Sequence, residues 1–213
     1  MKKSNFFWVG YSDLLTSLLF VMLVLFVITF AVLKKKQSEI EIEIERLRKI
    51  VNIEKQFDPF INHPDFVYDE KCQKFYIKQL MGIEMFEPDE IIIKPQYRSV
   101  AISSGNKILE FIKTLYEQNN EFSYLLVIEG NVANTWDKKF SSDSRYGYET
   151  SYKRALSVYN LWIENNISFR EYNVEVLITG SGFNGLCRDD EIEENNKRFS
   201  VQIIPKTGSF VME

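Results

Sequence analysis

A long apolar run near the amino terminus is the strongest constraint on how this chain folds. Residues 14–33 form a stretch of 20 residues that is broken only by Thr16, Ser17 and Thr29. At about 1.5 Å per residue, a helix of this length crosses the roughly 30 Å hydrocarbon core of a membrane. Asp13 lies at one end of the run, after an aromatic-rich segment, and a carboxylate at that depth is costly unless it faces a partner, water or an ion. The run predicts a transmembrane helix that is more than an anchor.

Charge is distributed unevenly around this run. Five of the 26 basic residues flank it, whereas 29 of the 30 acidic residues follow it, so the remainder is acidic and nucleic-acid binding is disfavoured. No small-residue cleavage site follows the run, and Lys34, Lys35 and Lys36 come next, so we expect an uncleaved signal anchor. The lysine count alone slightly favours a cytoplasmic carboxyl terminus.

Cysteine and histidine are scarce. Cys72 and Cys187 are the only cysteines, and they either form one disulfide outside the cytoplasm or are two unrelated buried thiols. The two cysteines make no CxxC motif, and His63 is the only histidine. A zinc site built from these residues is therefore not expected, and no other metal site is predicted.

The segment after the lysine triplet predicts a helical stalk over residues 37–56. Its apolar side chains follow the 3–4 spacing of a coiled-coil seam, at Leu33, Ile40, Ile44, Leu47 and Val51. Residues 40–45 also alternate between Ile and Glu, which suits a strand, but Glu, Lys, Arg and Leu dominate and no turn separates them from the membrane run. We favour a helix. It either pairs with a second copy in a parallel stalk or lies alone on the membrane or the domain.

The rest of the chain predicts an α/β (α+β) domain over residues 57–213, after an anchor over 1–36 and the stalk over 37–56. We expect its ordered part to begin near Phe66, and its strands and helices to alternate, with the helices on one side of a mixed sheet. The predicted strands are 76–85, 124–128, 174–179 and 198–204, and the predicted helices are 98–119 and about 149–165. Ile102, Ile108, Leu109, Ile112 and Leu115 are expected to face inward.

Asp13, Thr16 and Ser17 share one helix face because they stand at positions i, i+3 and i+4. A carboxyl group beside two hydroxyls, among lipid-facing side chains, suits proton or sodium transfer. The alternative is an interfacial Asp that only caps the first turn of the helix. The apolar and aromatic residues before Asp13 argue against that alternative, because they extend the apolar segment past it.

An aromatic-rich amino terminus followed by Asp-x-x-Thr at the start of a single membrane helix resembles the MotB family of stator subunits, which includes the ZorB subunits of Zorya anti-phage systems. The resemblance implies that Asp13 carries the coupling ion, H⁺ or Na⁺, with Thr16 at the matching threonine. It also implies a homodimer inside a ring of MotA-like or ZorA-like multi-span subunits, five around two. TolR and ExbD share the membrane aspartate but have a shorter outer domain of a different kind.

The carboxyl-terminal half resembles the OmpA-like peptidoglycan-associated domain, whose four motifs occur here in the same order. They are Gly130-Asn131-Val132-Ala133, Ser151-Tyr152-Lys153-Arg154-Ala155, Gly180-Ser181-Gly182 and Asn196-Lys197-Arg198. The resemblance implies that Arg154 holds a carboxylate of the peptide stem of the cell wall, with Asn196 and Arg198 lining the same pocket. The family aspartate that binds the stem amino group falls on Ala133, and the family histidine falls on Asn131, so standard diaminopimelate recognition is in doubt.

Other side chains near these motifs are candidates for the missing contacts. Asp137, Asp143 or Glu149 could substitute for the family aspartate from the loop that follows Ala133. A tyrosine cluster beside Arg154 either stacks on sugars or serves in packing, and its members are Tyr146, Tyr148 and Tyr152.

Together these resemblances imply a non-enzymatic stator-type subunit of an ion-driven motor in the bacterial inner membrane. The chain would cross the membrane once, with its carboxyl-terminal domain on the periplasmic side, against the lysine count, and would bind peptidoglycan. A ZorB-like role in anti-phage defence is preferred over flagellar rotation because the stalk is short and the wall motif has diverged. The alternatives are a plain membrane-tethered peptidoglycan-binding protein and a TolR-like energiser.

Overall fold

The computed structural model describes residues 5–118, 120, 122–135, 137–185, 187–189 and 191–206. The chain divides into two units, Met1–Asn52 and Ile53–Glu213. The first unit contains most of one long helix, and the second contains a mixed sheet with its helices. This arrangement confirms the predicted fold class.

Helix α1 (Asn5–Gln56) is 52 residues long and unbroken. At 1.5 Å per residue it extends for about 78 Å. By length and composition it contains one candidate membrane span, Gly10–Glu45. Its apolar side chains are exposed in the single chain, as in Phe26 at 69%. Residues 40–45 lie within the helix, so the helical prediction for the stalk is confirmed over the strand alternative.

The predicted stalk seam is only partly visible in the structure. Ile40 and Ile44 are exposed on α1, as a pairing surface requires. The side chains of Leu47 and Val51, which continue the seam, lie outside the described residues. Whether two copies pair along the seam therefore stays a prediction.

The second unit is built on one five-stranded sheet with the order β1-β2-β5-β3-β4, in which β3 and β4 are parallel and the other neighbours are antiparallel. The strands are β1 (Phe66–Asp69), β2 (Lys74–Ile77), β3 (Ser123–Gly130), β4 (Val174–Gly180) and β5 (Phe199–Lys206). The helices are α2 (Asp58–Ile61), α3 (Pro95–Gln118) and α4 (Arg145–Glu164), with 3₁₀ turns at Lys78–Leu80, Arg170–Tyr172 and Glu193–Asn196.

The core lies between one face of this sheet and helices α3 and α4. Alternate residues of β3, such as Leu126 and Ile128, are fully buried against the helices, as period-two strands require. Trp162 of α4 fills the centre and donates a hydrogen bond from Nε1 to the carbonyl oxygen of Ala101 (2.7 Å). Gly105 makes room for the indole, because a Cβ at this position would lie 2.7 Å from Nε1. Of the inward residues predicted on α3, three are buried and two are partly buried against the core: Ile108, Ile112 and Leu115, then Ile102 and Leu109.

The predictions fail mainly at the start of the domain. The strand predicted over residues 76–85 ends at Ile77, because the next residues form a 3₁₀ turn, and strand β1 was not predicted. The core also begins before Phe66. Phe57 and Phe60 are already buried, and Phe60 contacts the rings of Phe66 and Phe75 at centroid distances of 4.5 and 4.7 Å.

Candidate functional site

The first candidate site is the Asp13 face of α1. Asp13 lies eight residues after Asn5 in a continuous helix, so it is not an N-cap and the capping alternative is wrong. The hydroxyl of Thr16 donates to the carbonyl oxygen of Ser12 (2.7 Å), and that of Ser17 donates to the carbonyl oxygen of Asp13 (2.7 Å). Both hydroxyl hydrogens are thus used within the helix, which leaves the oxygen lone pairs free on the helix face that Asp13 shares.

The second candidate site is where three of the four motifs meet, at the carboxyl ends of β3 and β4 and the first turns of α4. A Cβ on Gly130 would lie 2.0 Å from the carbonyl oxygen of Ser151, and one on Gly180 would lie 2.3 Å from the nitrogen of Tyr152. The backbone N–H of Gly182 donates to the hydroxyl of Ser151 (3.0 Å). These glycines and this serine therefore let α4 dock directly on the strand ends, which explains the motif residues by packing.

Arg154 lies beneath this junction and is 4% exposed. Its guanidinium donates to three backbone carbonyl oxygens, those of Glu90 (3.0 Å), Glu87 (3.3 Å) and Asn131 (3.5 Å), and lies 4.9 Å from the ring centroid of Phe86. Burial lowers the pKa of Arg154, although a guanidinium stays protonated at any physiological pH. The structure therefore uses its donors internally, chiefly against the segment between β2 and α3.

The other two predicted wall-pocket residues are also engaged. Asn196 is 2% exposed, its Nδ2 donates to the carbonyl oxygen of Asp189 (2.8 Å), and its Oδ1 accepts from the Asp189 N–H (2.9 Å). The guanidinium of Arg198 stacks over Tyr76, 4.1 Å from the ring centroid. Tyr76 alternates with the core residue Phe75 on β2, so it lies on the sheet face opposite the helices. The structure does not bring Arg198 beside Arg154.

The tyrosines near the start of α4 remain accessible. Tyr146 is 39% exposed, hydrogen-bonds through its hydroxyl to Asp89, and stacks on Phe140 at 5.0 Å. Tyr148 is 38% exposed, and its hydroxyl accepts a hydrogen bond from Nδ2 of Asn184 (3.3 Å). Tyr152 is also exposed. Their accessible rings could stack on a ligand, and that role stays a prediction.

The acidic residues proposed to replace the family aspartate have separate environments. Asp143 accepts a hydrogen bond from Asn184 (3.3 Å), and Glu149 pairs with Arg145 on the first turns of α4 (2.5 Å). The hydroxyl of Thr135 is the main cause of a lowered pKa at Asp137. Each of these carboxylates therefore has a local partner of its own.

A partly buried ion pair and a disulfide hold the loop between β4 and β5. Arg188 and Glu193 are 7% and 16% exposed and pair at 2.5 Å, and Arg188 also donates to the carbonyl oxygen of Val132 (2.7 Å). Cys72 and Cys187 are joined in a disulfide with their Cα atoms 6.2 Å apart. Sequence reasoning left the cysteine pairing open and missed the ion pair, because this loop has many charged residues and no periodic pattern.

Comparison with known proteins gives structural neighbours only, because no family model and no curated protein matches the chain. The peptidoglycan-associated lipoprotein of Burkholderia pseudomallei has 14% identity and a TM-score of 0.34, covering 57% of this chain and 87% of that chain. A periplasmic domain of Helicobacter pylori MotB has 19% identity and a TM-score of 0.41, covering 67% and 89%. The OmpA-like domain of FopA1 from Francisella tularensis has 15% identity and a TM-score of 0.40, covering 66% and 77%. At these values the similarities assign no function to this chain.

Proposed function

We propose that this chain is the stator-type subunit of an ion-driven motor in the inner membrane, and that Asp13 carries the ion. The observation that carries the proposal is the position of Asp13 inside an unbroken helix, next to a run of exposed apolar side chains. A carboxylate in that setting needs a polar partner or an exchanging cation. One charge that moves through 100 mV releases about 2.3 kcal/mol, which is enough to drive a conformational step.

The ion path needs a second kind of subunit, because one helix cannot enclose it. Viewed down the helix axis, Asp13 and Leu33 project in directions that differ by roughly 100° at 3.5 residues per turn and by roughly 160° at 3.6 residues per turn. Leu33 begins the predicted stalk seam that continues through Ile40 and Ile44. If two copies pair along that seam, each Asp13 lies outside the pairing surface, where a surrounding subunit can contact it. We assign that place to a MotA-like or ZorA-like ring.

The disulfide supports a carboxyl-terminal domain outside the cytoplasm. Disulfides persist in the periplasm and are rare in the reducing cytosol. The bond between Cys72 and Cys187 therefore favours the orientation that the lysine count alone opposes. In the proposed orientation the amino terminus lies in the cytoplasm and the chain crosses the inner membrane once.

We further propose that the domain anchors the complex to peptidoglycan. Residues of three of the four motifs meet at one end of the sheet, where Tyr146 and Tyr148 are accessible. The donors of Arg154 are held by backbone carbonyls, so recognition of a stem carboxylate by Arg154 requires the segment of Glu87 and Glu90 to move. A ZorB-like role in anti-phage defence remains our preference over flagellar rotation.

The decisive experiment replaces Asp13 with Asn in the native strain. Asn keeps the shape of the side chain and removes its charge, so ion coupling is lost while the helix still inserts. We expect loss of phage restriction, or of swimming if the complex serves motility, with unchanged amounts of the chain in the membrane. Ser12→Asn is the matched control, since it adds the same amide one residue away, and it should retain function. Full function of Asp13→Asn would refute the motor and favour a plain tether.

Wall anchoring has its own test. The purified domain, residues 53–213, should sediment with isolated sacculi, and Tyr148→Ala should reduce the bound fraction if the exposed ring contributes stacking. Ile163→Ala, at a somewhat more exposed position near the other end of α4, serves as the control. A domain that stays in the supernatant would contradict peptidoglycan binding without affecting the role of Asp13.

A further inference from the structure

Strand β4 is an edge strand whose one charged residue is Glu175. Within the part of the chain that the structure describes, it pairs with β3 on one side only, at the end of the sheet order. Natural edge strands usually carry Lys, Pro or a bulge that blocks further pairing. The β4 sequence Val-Glu-Val-Leu-Ile-Thr-Gly has neither Lys nor Pro, and its register with β3 runs without a bulge. Its central residue, Leu177, is 48% exposed.

The backbone direction of β4 is fixed by the hydrogen bonds at its two ends. The carbonyl oxygen of Asn173 accepts from the N–H of Tyr124, and the N–H of Ser181 donates to the carbonyl oxygen of Gly130. Alternate residues of a strand face the same neighbour, so residues 175, 177 and 179 also face β3. The backbone groups of residues 174, 176, 178 and 180 therefore face the open edge.

A cavity lies beside this edge on the helix side of the sheet. It has a volume of about 370 Å³ and is lined by Tyr159, Phe169, Val174 and Val176, with Arg170 among the polar residues at its wall. An added strand would direct every second side chain into this space. The edge thus offers both unpaired backbone groups and a pocket with a mixed lining, in which the polar residues are Ser168, Arg170 and Glu175.

We propose that β4 pairs antiparallel with β4 of a second copy of this chain, centred on Leu177, so that the two sheets join into one. In this register Val176 stands opposite Ile178 of the other copy, and the two residues exchange backbone hydrogen bonds through their open-edge groups. Leu177 stands opposite itself as a non-hydrogen-bonded pair, in which side chains approach most closely. The Ile178 side chain of the other copy enters the cavity beside Val176.

The strand sequence favours a second copy over other occupants because the pairing complements itself. Glu175 stands opposite Thr179, so no like charges face each other across the new pair. The carboxylate of Glu175 is already paired with Lys206 in its own domain. The half-exposed Leu177 is covered by its own copy, which removes an apolar side chain from water. This pairing goes beyond ion transport and does not require that Asp13 binds an ion.

Cysteine cross-linking in membranes tests the register in the full-length chain. The native cysteines are bonded to each other, so an introduced cysteine supplies the free thiol. We expect Leu177→Cys to give a disulfide-linked dimer on mild oxidation, because the Cα atoms of such a pair are about 4.5 Å apart. Thr179→Cys is the matched control. In the proposed register the two cysteines introduced at position 179 would be offset by four residues along the strands, a distance of about 13 Å, and should not link.

Two further arms make the outcome decisive. Chains with Glu175→Cys and chains with Thr179→Cys should fail to link when each is expressed alone but should link to each other when co-expressed. Adding Leu177→Lys to both chains should lower the yield of this linked dimer at least tenfold, because it places two ammonium groups together. Ile40→Cys reports separately on stalk pairing. The proposal is overturned if Leu177→Cys and Thr179→Cys link equally, or if Ile40→Cys links while Leu177→Cys does not. Linking at Leu177 without linking at Ile40 would support the β4 pairing and reject the stalk dimer.

Discussion

The disulfide allows a stability prediction with a magnitude worked from the fold. It joins Cys72, in the turn between β1 and β2, to Cys187, in the loop between β4 and β5, across a sequence separation of 115 residues. Closing a loop of this length restricts the unfolded chain by about 4.8 kcal/mol at 25 °C. We expect Cys72→Ser/Cys187→Ser to lower the free energy of unfolding by about this amount. For a unit of this size, the melting temperature should fall by about 15 °C.

Urea denaturation of residues 53–213, followed by far-ultraviolet circular dichroism, measures this loss. That unit is suitable because it contains its own hydrophobic core. Dithiothreitol should destabilise the wild-type unit to the level of the double serine variant and should leave that variant unchanged. A wild-type unit that loses less than about 1 kcal/mol on reduction would refute the reasoning, because the loop would then contribute no restriction of the unfolded state.

Three further predictions concern the domain. Arg154→Met should cost about 3 kcal/mol in urea unfolding, because it removes three hydrogen bonds to backbone carbonyls, and a loss below about 1 kcal/mol would contradict this. Gly180→Ala should lower the melting temperature far more than Gly185→Ala, since its Cβ would lie 2.3 Å from a backbone nitrogen of α4; equal shifts would contradict the packing role. The Lys197 hydrogen bond holds the pKa of Glu84 below its usual range. The stabilisation by the ionised Glu84 carboxylate is present above about pH 4.3 and is lost as the pH falls through the lowered pKa. The melting temperature of Lys197→Gln should therefore fall less on acidification than that of the wild-type unit.

The parts of the fold that were predicted correctly have strong periodic signals. Helix α3 and helix α4 carry apolar residues at helical spacing, and β3 is a continuous apolar run, so each was placed within a few residues. The long helix was predicted through residues 40–45 despite their alternation, because composition and continuity outweighed it. Strands β1 and β2 have only four residues each, and their pairing is set by tertiary contacts such as the one between Phe60 and Phe75. Such short strands leave little local pattern.

The geometry of the candidate site was not predicted from the sequence. Gly130, Ser151 and Gly180 pack together in the structure, whereas the sequence analysis named them only as members of separate motifs. The burial of Arg154 could not be read from sequence, because its acceptors are backbone carbonyls of a segment more than 60 residues away. The position of Arg198 depends on strand alternation, since a single residue step moves a side chain to the other face of the sheet. Residue identity alone does not resolve either point.

The most direct test of the central claim is a density map of the complex purified from native membranes. We expect the carboxylate of Asp13 to lie at membrane depth and within hydrogen-bonding distance, about 3 Å, of a polar group, bound water or ion at a contact with a neighbouring ring subunit. An Asp13 side chain in open water, or one that faces acyl chains with no other subunit beside it, would contradict the claim that this group carries ions for a motor.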